Sequence, residues 1–212
     1  YSHTDYVYDL AQLIHQLKLA PLNVIAHSLG GSVALRYAGI YPENIEKMVV
    51  IEGTGGPAWM YQEIPVHERM RTWIESARAV SGRLPKRYEA LDDAYQRMHN
   101  ENSHLSEGQA RHLTGHGSNQ NEDGSYSWKF DNYTHVMAPF DLSQEQSKAL
   151  WQRISSPLLL LSGSESLFGQ NRAADPAEYF TNARHVTVEN AGHWVHHDQL
   201  EAFLKLTRDF FR

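Results

Sequence analysis

The chain contains no cysteine. Disulfides, thiolate metal sites and a cysteine nucleophile are therefore excluded. Long hydrophobic runs are also missing. The longest apolar stretch, 158–161 with its flanks, falls far short of the ~20 residues that a membrane-spanning helix needs, so no membrane span is expected. Basic residues gather into no stripe: 19 Lys and Arg lie scattered among 25 Asp and Glu, and a net charge of −6 disfavours nucleic acid as a partner. The sequence opens on Tyr1 rather than methionine and runs straight into an amphipathic pattern with no signal-peptide character. The expectations are a cytoplasmic location and a chain that starts partway through a larger fold.

What is present alternates between two periodicities. At 212 residues, 41% of them hydrophobic, the chain can bury one sizeable core, with room for an insertion. Leu10, Leu13, Ile14 and Leu17 recur at helical spacing, which predicts a helix over about 3–18 with one buried face. A strand-type run at 22–26, a helical pattern through Val33 and Tyr37, and a second strand at 48–51 follow. Alternating strands and helices predict an α/β fold, a mostly parallel sheet flanked by helices. From about 58 to 150 the chain turns polar and mainly helical in period, with one hairpin predicted at 125–130 after Asp123-Gly124. Ser143-Gln144-Glu145-Gln146 reads as a capping box opening a helix that ends at Trp151. Strands return at 157–161 and 185–188, and an amphipathic helix at about 199–211 closes the chain. The predicted organisation is a core of 1–57 and 151–212 carrying an inserted, mainly helical cap of 58–150.

Two motifs carry chemistry. In Val24-Ile25-Ala26-His27-Ser28-Leu29-Gly30-Gly31 a serine stands between a strand and a helix, with small residues two before and two after it. This is the pattern of a nucleophile elbow, in which a tight turn lifts the hydroxyl above the sheet and aims the Leu29 N–H at a developing oxyanion. A serine that merely caps the following helix is the plainer alternative. The second motif is Glu189-Asn190-Ala191-Gly192-His193, between the last strand and the closing helix. A serine hydroxyl needs a base, and imidazole titrates in the right range. With 13 histidines in the chain a lone one means little, but His193 follows a strand on a glycine, in the order Ser then His. His196 and His197 read as loop or helix-entry residues.

These segments resemble the α/β-hydrolase fold family, over 5–53 and 156–211. The inserted part is similar, more distantly, to the caps of its esterase and meta-cleavage branches. The resemblance implies a serine nucleophile and leaves the substrate open. Strands and a His-Gly loop that precede the first helix in the family have no counterpart here, which implies an N-terminal segment supplied elsewhere. The family's usual triad acid falls three residues after the glycine that ends the 157–161 strand. That glycine is Gly163, and the position holds Ser166, which carries no charge. Glu52, at the end of the strand after the elbow helix, is the favoured substitute, with Glu165 the alternative and Asp175 third. Asp175 reads better as an N-cap before Pro176.

The sequence therefore predicts a serine hydrolase acting on a small-molecule carboxylic ester. Ser28 is the expected nucleophile, His193 the base, Glu52 the acid and Leu29 N–H an oxyanion donor. His27, Trp59 and Trp194 are expected against substrate. A carbon–carbon bond hydrolase and a non-catalytic ligand receptor are the competing readings. No cofactor is expected, since Gly53-Thr54-Gly55-Gly56 lacks the Lys-Ser/Thr of a phosphate loop. No metal is expected either, since the histidines lack ligand spacing.

Overall fold

A computed structural model describes residues 1–54, 64–136, 138–167 and 174–212. The chain divides into two compact units. One comprises Ser2–Glu63 with Phe140–Arg212, and the other Ile64–Pro139 with Tyr1.

The first unit is built on four parallel strands in the order β1-β2-β6-β7. These are β1 (Leu22–His27), β2 (Ile45–Ile51), β6 (Leu158–Gly163) and β7 (Ala183–Val188). Two-residue alternation sends the side chains of each strand to opposite faces and creates two cores. On one face Met48, Val50, Leu158 and Leu160 pack with Ala34, Leu35 and Tyr37 of α2 (Leu29–Ile40), Ile14 of α1 (His3–Leu17) and Trp151 of α6 (Gln144–Trp151). On the other, Val49, Ile51, Leu159 and Leu161 pack with Val195 of α7 (Val195–Asp198) and with Phe203, Leu206 and Phe210 of α8 (Leu200–Phe211). The central strands β2 and β6 are covered on both sides, which is why they read as near-continuous apolar runs. β1 pairs with β2 alone among the described residues, and Ile25 is 53% exposed along this outer strand.

Local signals account for the element ends. Ser2 and Asp5 form a capping box at the start of α1, and Ser143 with Gln146 forms the predicted one at α6. The buried face of α1 differs from the expected set. Val7, Leu10, Ala11 and Ile14 lie against the core, whereas Leu13 and Leu17 are exposed. At 100° per residue these two fall on the flank of the stripe that faces α2. β2 begins three residues before its predicted start because Glu46 and Lys47 disguise a strand whose first residue, Ile45, is buried. Beside these elements, Asp141 accepts both guanidinium nitrogens of the buried Arg36, at 2.5 and 2.9 Å, and lies 2.7 Å from His3.

The second unit contains α3 (Val66–Val80), α4 (Leu91–Glu101), α5 (Glu107–Gly117) and a three-stranded sheet. Its strands β3 (Arg87–Tyr88), β4 (Ser118–Gln120) and β5 (Tyr126–Trp128) run antiparallel in the order β3-β5-β4. The hairpin expected at 125–130 instead pairs β4 with β5 around Asp123-Gly124, so its first strand precedes the turn signal: Gly124 takes a positive φ of 84° and Asp123 caps the Ser125 N–H. β3 escapes prediction because two residues display no period. Tyr88, Ala94, Tyr95, Leu105, Ala110 and Val136 are its buried apolar residues among those described. Among the described residues, no helix is long and apolar enough to cross a membrane.

Candidate active site

Every group of the site lies at or just beyond the C-terminal end of a parallel strand in the first unit. β1 ends at His27, and Ser28 turns the chain into α2 with φ 53° and ψ −122°. A non-glycine residue at positive φ is strained, and it persists only when its surroundings hold it. Here the Ser28 N–H donates to the Ile51 carbonyl at 2.8 Å, and the Ser28 carbonyl accepts from Ser32 in the first turn of α2. The side chain makes no capping bond, which removes the plain helix-cap explanation. Instead Ser28 Oγ lies 2.8 Å from His193 Nε2. Leu29 occupies the first position of α2, where helix geometry provides no intrahelical acceptor for its N–H. That donor stands beside the Ser28 hydroxyl at the positive end of the helix dipole.

The steric demand at this turn differs from the expected one. The elbow pattern calls for small residues at Ala26 and Gly30, yet a Cβ at Gly30 would meet nothing within 4 Å among the described residues. Gly31 carries the constraint: its Cβ would sit 2.9 Å from both Gly53 Cα and Val50 Cγ1. One further residue of helical rotation turns Gly31, not Gly30, toward the sheet.

Glu52 follows the last residue of β2, also at positive φ, with its N–H on the Leu161 carbonyl at 2.9 Å. Its side chain is fully buried. Oε1 accepts the Gly163 N–H at 2.8 Å, while Oε2 lies 3.9 Å from His193 Nδ1. That is ion-pair range but longer than a hydrogen bond, and catalytic bonds often shorten only in the Michaelis complex. Glu165 is exposed, and its backbone N–H holds the Ala191 carbonyl at 2.9 Å. Ser166 is buried. Asp175 caps the turn at Pro176–Tyr179 through the Ala177 N–H and pairs with His185 at 3.1 Å.

His193 sits on the loop after β7. The Gly192 N–H donates to Asp198 Oδ2 at 2.8 Å, and the His193 carbonyl lies 2.8 Å from His27 Nε2. Gly163 must be glycine for this loop to close, because its Cβ would lie 2.2 Å from the carbonyl oxygens of Ala191 and Gly192. The structure thus brings Ser28, His193, Glu52, Leu29 and His27 together. Trp194 lies beside them on the His193 loop with its ring 5.4 Å from His197, and Trp59 falls outside the described residues. His196 packs its ring 4.8 Å from that of His27, and burial lowers its pKa to about 4. Sequence reasoning missed the ties from His27 and Asp198, since each reaches a backbone group and leaves no pattern in the sequence. Among the described residues no cluster of three or more His, Asp or Glu could hold a metal ion.

Comparison with known proteins bears on the family and the fold. The chain is 23% identical over its whole length to a serine hydrolase-like protein of Danio rerio, covering 67% of that protein. It is 25% identical over 95% of its length to the sn-1-specific diacylglycerol lipase of Mus musculus, covering 62% of it. The chain thus spans roughly two thirds of the length of these curated relatives. Among solved structures, a hypothetical protein of Pseudomonas aeruginosa superposes with a TM-score of 0.81 at 22% identity, over 100% of this chain and 74% of its own. The thioesterase domain from the curacin biosynthetic pathway superposes at 0.78 and 22%, over 97% and 73%. The sequence profile of the alpha/beta hydrolase fold matches residues 1–200, and the chain belongs to that family.

Proposed function

We propose that the protein is a cofactor-independent serine hydrolase that cleaves a small-molecule carboxylic ester through an acyl-enzyme on Ser28. The observation that carries this reading is the 2.8 Å bond between Ser28 Oγ and His193 Nε2 at a strained strand-to-helix turn. In the first half-reaction Ser28 Oγ attacks the ester carbonyl while its proton passes to His193 Nε2. The tetrahedral oxyanion forms in front of the Leu29 N–H. Its collapse breaks the bond to the alcohol oxygen, which receives the proton back from His193. Water then repeats the sequence on the acyl-enzyme and releases the acid. Glu52, buried and 3.9 Å from Nδ1, is the group that offsets the imidazolium charge. The names of the relatives, a diacylglycerol lipase among them, support an ester as the substrate class.

The test pairs a fluorophosphonate probe with turnover of p-nitrophenyl esters. Ser28 should take the label, and Ser28→Ala should lose both the label and at least about 10⁴-fold in kcat with unchanged circular dichroism. Labelling at another serine, or retained turnover in Ser28→Ala, would overturn the assignment.

A further inference from the structure

We infer that His27 is a positioning residue: by donating its Nε2–H to the His193 carbonyl it holds the base loop where His193 Nε2 meets Ser28 Oγ. The inference rests on the hydrolase reading above and deepens it.

A carbonyl oxygen only accepts, so the 2.8 Å contact requires the proton of neutral His27 on Nε2. Further ties of the loop flank His193 on either side. Ala191 O receives the Glu165 N–H, Gly192 N–H reaches Asp198, and α7 begins only at Val195. His27 grips the peptide of the base residue itself, and it is covalently adjacent to the nucleophile. The bond therefore ties the residue next to the nucleophile to the backbone of the base residue, across 166 positions of sequence. The His27 ring is in turn gripped between two imidazoles, 4.7 Å from that of His193 and 4.8 Å from that of His196. Glu52 at the end of β2, His193 on its loop, and His196 and His197 on α7 are the titratable groups around it. Burial lowers the pKa of His27, the bond to His193 opposing, and lowers that of His196 to about 4. Both shifts favour the neutral ring. A charged His27 so near His193 would oppose the imidazolium that catalysis must form.

Two variants of the intact protein test this. His27→Gln offers an amide N–H near the place of Nε2, whereas His27→Leu keeps bulk without a donor. Counted per fluorophosphonate-titrated site, kcat should fall about 10–100-fold in His27→Leu, as a sub-ångström to ångström misplacement implies, with KM nearly unchanged. His27→Gln should restore kcat to within about fivefold of the parent, because the donor alone is at issue. Equal per-site kcat in the two variants would overturn the proposal. So would an imidazole ¹⁵N spectrum of the parent showing neutral His27 protonated on Nδ1. Absence of label on Ser28 in the parent would sink the hydrolase reading alone, while the His27 tautomer would still decide the tie.

Discussion

At the scale of single residues, the division of labour between Glu52 and Glu165 has a measurable consequence. Glu52 is buried with one oxygen on the Gly163 N–H and the other facing His193, whereas Glu165 is exposed and contributes only its backbone. Glu52→Gln should lower kcat by about 10²–10⁴-fold, since an amide cannot offset an imidazolium. Glu165→Gln should change it less than about twofold, as exposed substitutions do. Steady-state kinetics of the two variants checks the ranking, and the reverse order would move the acid to the loop after β6. His196 offers a second test. Its pKa, lowered by burial to about 4, lies below the usual value near 6.5, so the unfolded chain takes up the proton first as pH falls. The stability that neutral His196 contributes is present above pH ~6.5 and is lost as pH drops toward 4. His196→Phe should remove up to about 3 kcal/mol of that acid sensitivity, less where solvent screens the ring. Urea melts at pH 7 and pH 4.5 would reveal it, and equal acid losses in parent and variant would exclude it. The proximity of Ser28 and His193 is legible in the sequence because strand ends and chain order mark them, while the sequence favours Glu52 over Glu165 without deciding between them. The tie from His27 is not legible there, because a bond to a backbone carbonyl 166 residues away leaves no trace in spacing.

At the scale of elements, the periodicities that predict this fold are also what hold it together. β2 and β6 read as apolar runs because helices cover them on both faces, and the capping box at Ser143 predicts the start of α6. What stayed hidden was short or disguised: β3 with two residues, the polar start of β2, and the contact of Gly31 with Gly53. None of these has a period for a sequence to display. The Arg36–Asp141 pair belongs here as well, since it fastens the stretch before α6 to α2 and, through His3, to α1. Burial raises the Asp141 pKa, but bonds from His3 and Arg36 outweigh it and hold the carboxyl well below the usual range. Its stabilising charge is therefore present above pH ~4 and lost only as pH falls further. Asp141→Asn at neutral pH should cost about 1–3 kcal/mol, the side chain being partly screened by solvent. A lowered urea midpoint with an unchanged m-value would support this, and an unmoved midpoint would refute it.

At the scale of the whole molecule, all the proposed chemistry resides in one of two compact units, the one formed by Ser2–Glu63 and Phe140–Arg212. The intervening unit, proposed above from sequence as a cap, has its own core around Tyr88, Tyr95 and Leu105. Replacing 64–139 by a flexible linker should preserve fluorophosphonate labelling of Ser28 within about tenfold while changing the preference among p-nitrophenyl acyl chain lengths, as variable segments on a rigid scaffold do. Loss of labelling with the sheet intact would mean that the unit supplies part of the reaction centre. The order β1-β2-β6-β7 has a further consequence, one of timing. β2 must wait for β6 while roughly a hundred residues are added, an interval of ~5–20 s at ~5–20 residues per second. Through that time Met48, Val49, Val50 and Ile51, buried in the finished protein, have no partner strand on one side. His193 arrives later still, so a ribosome-bound chain can display Ser28 while the 165 positions that separate it from its base are still being added.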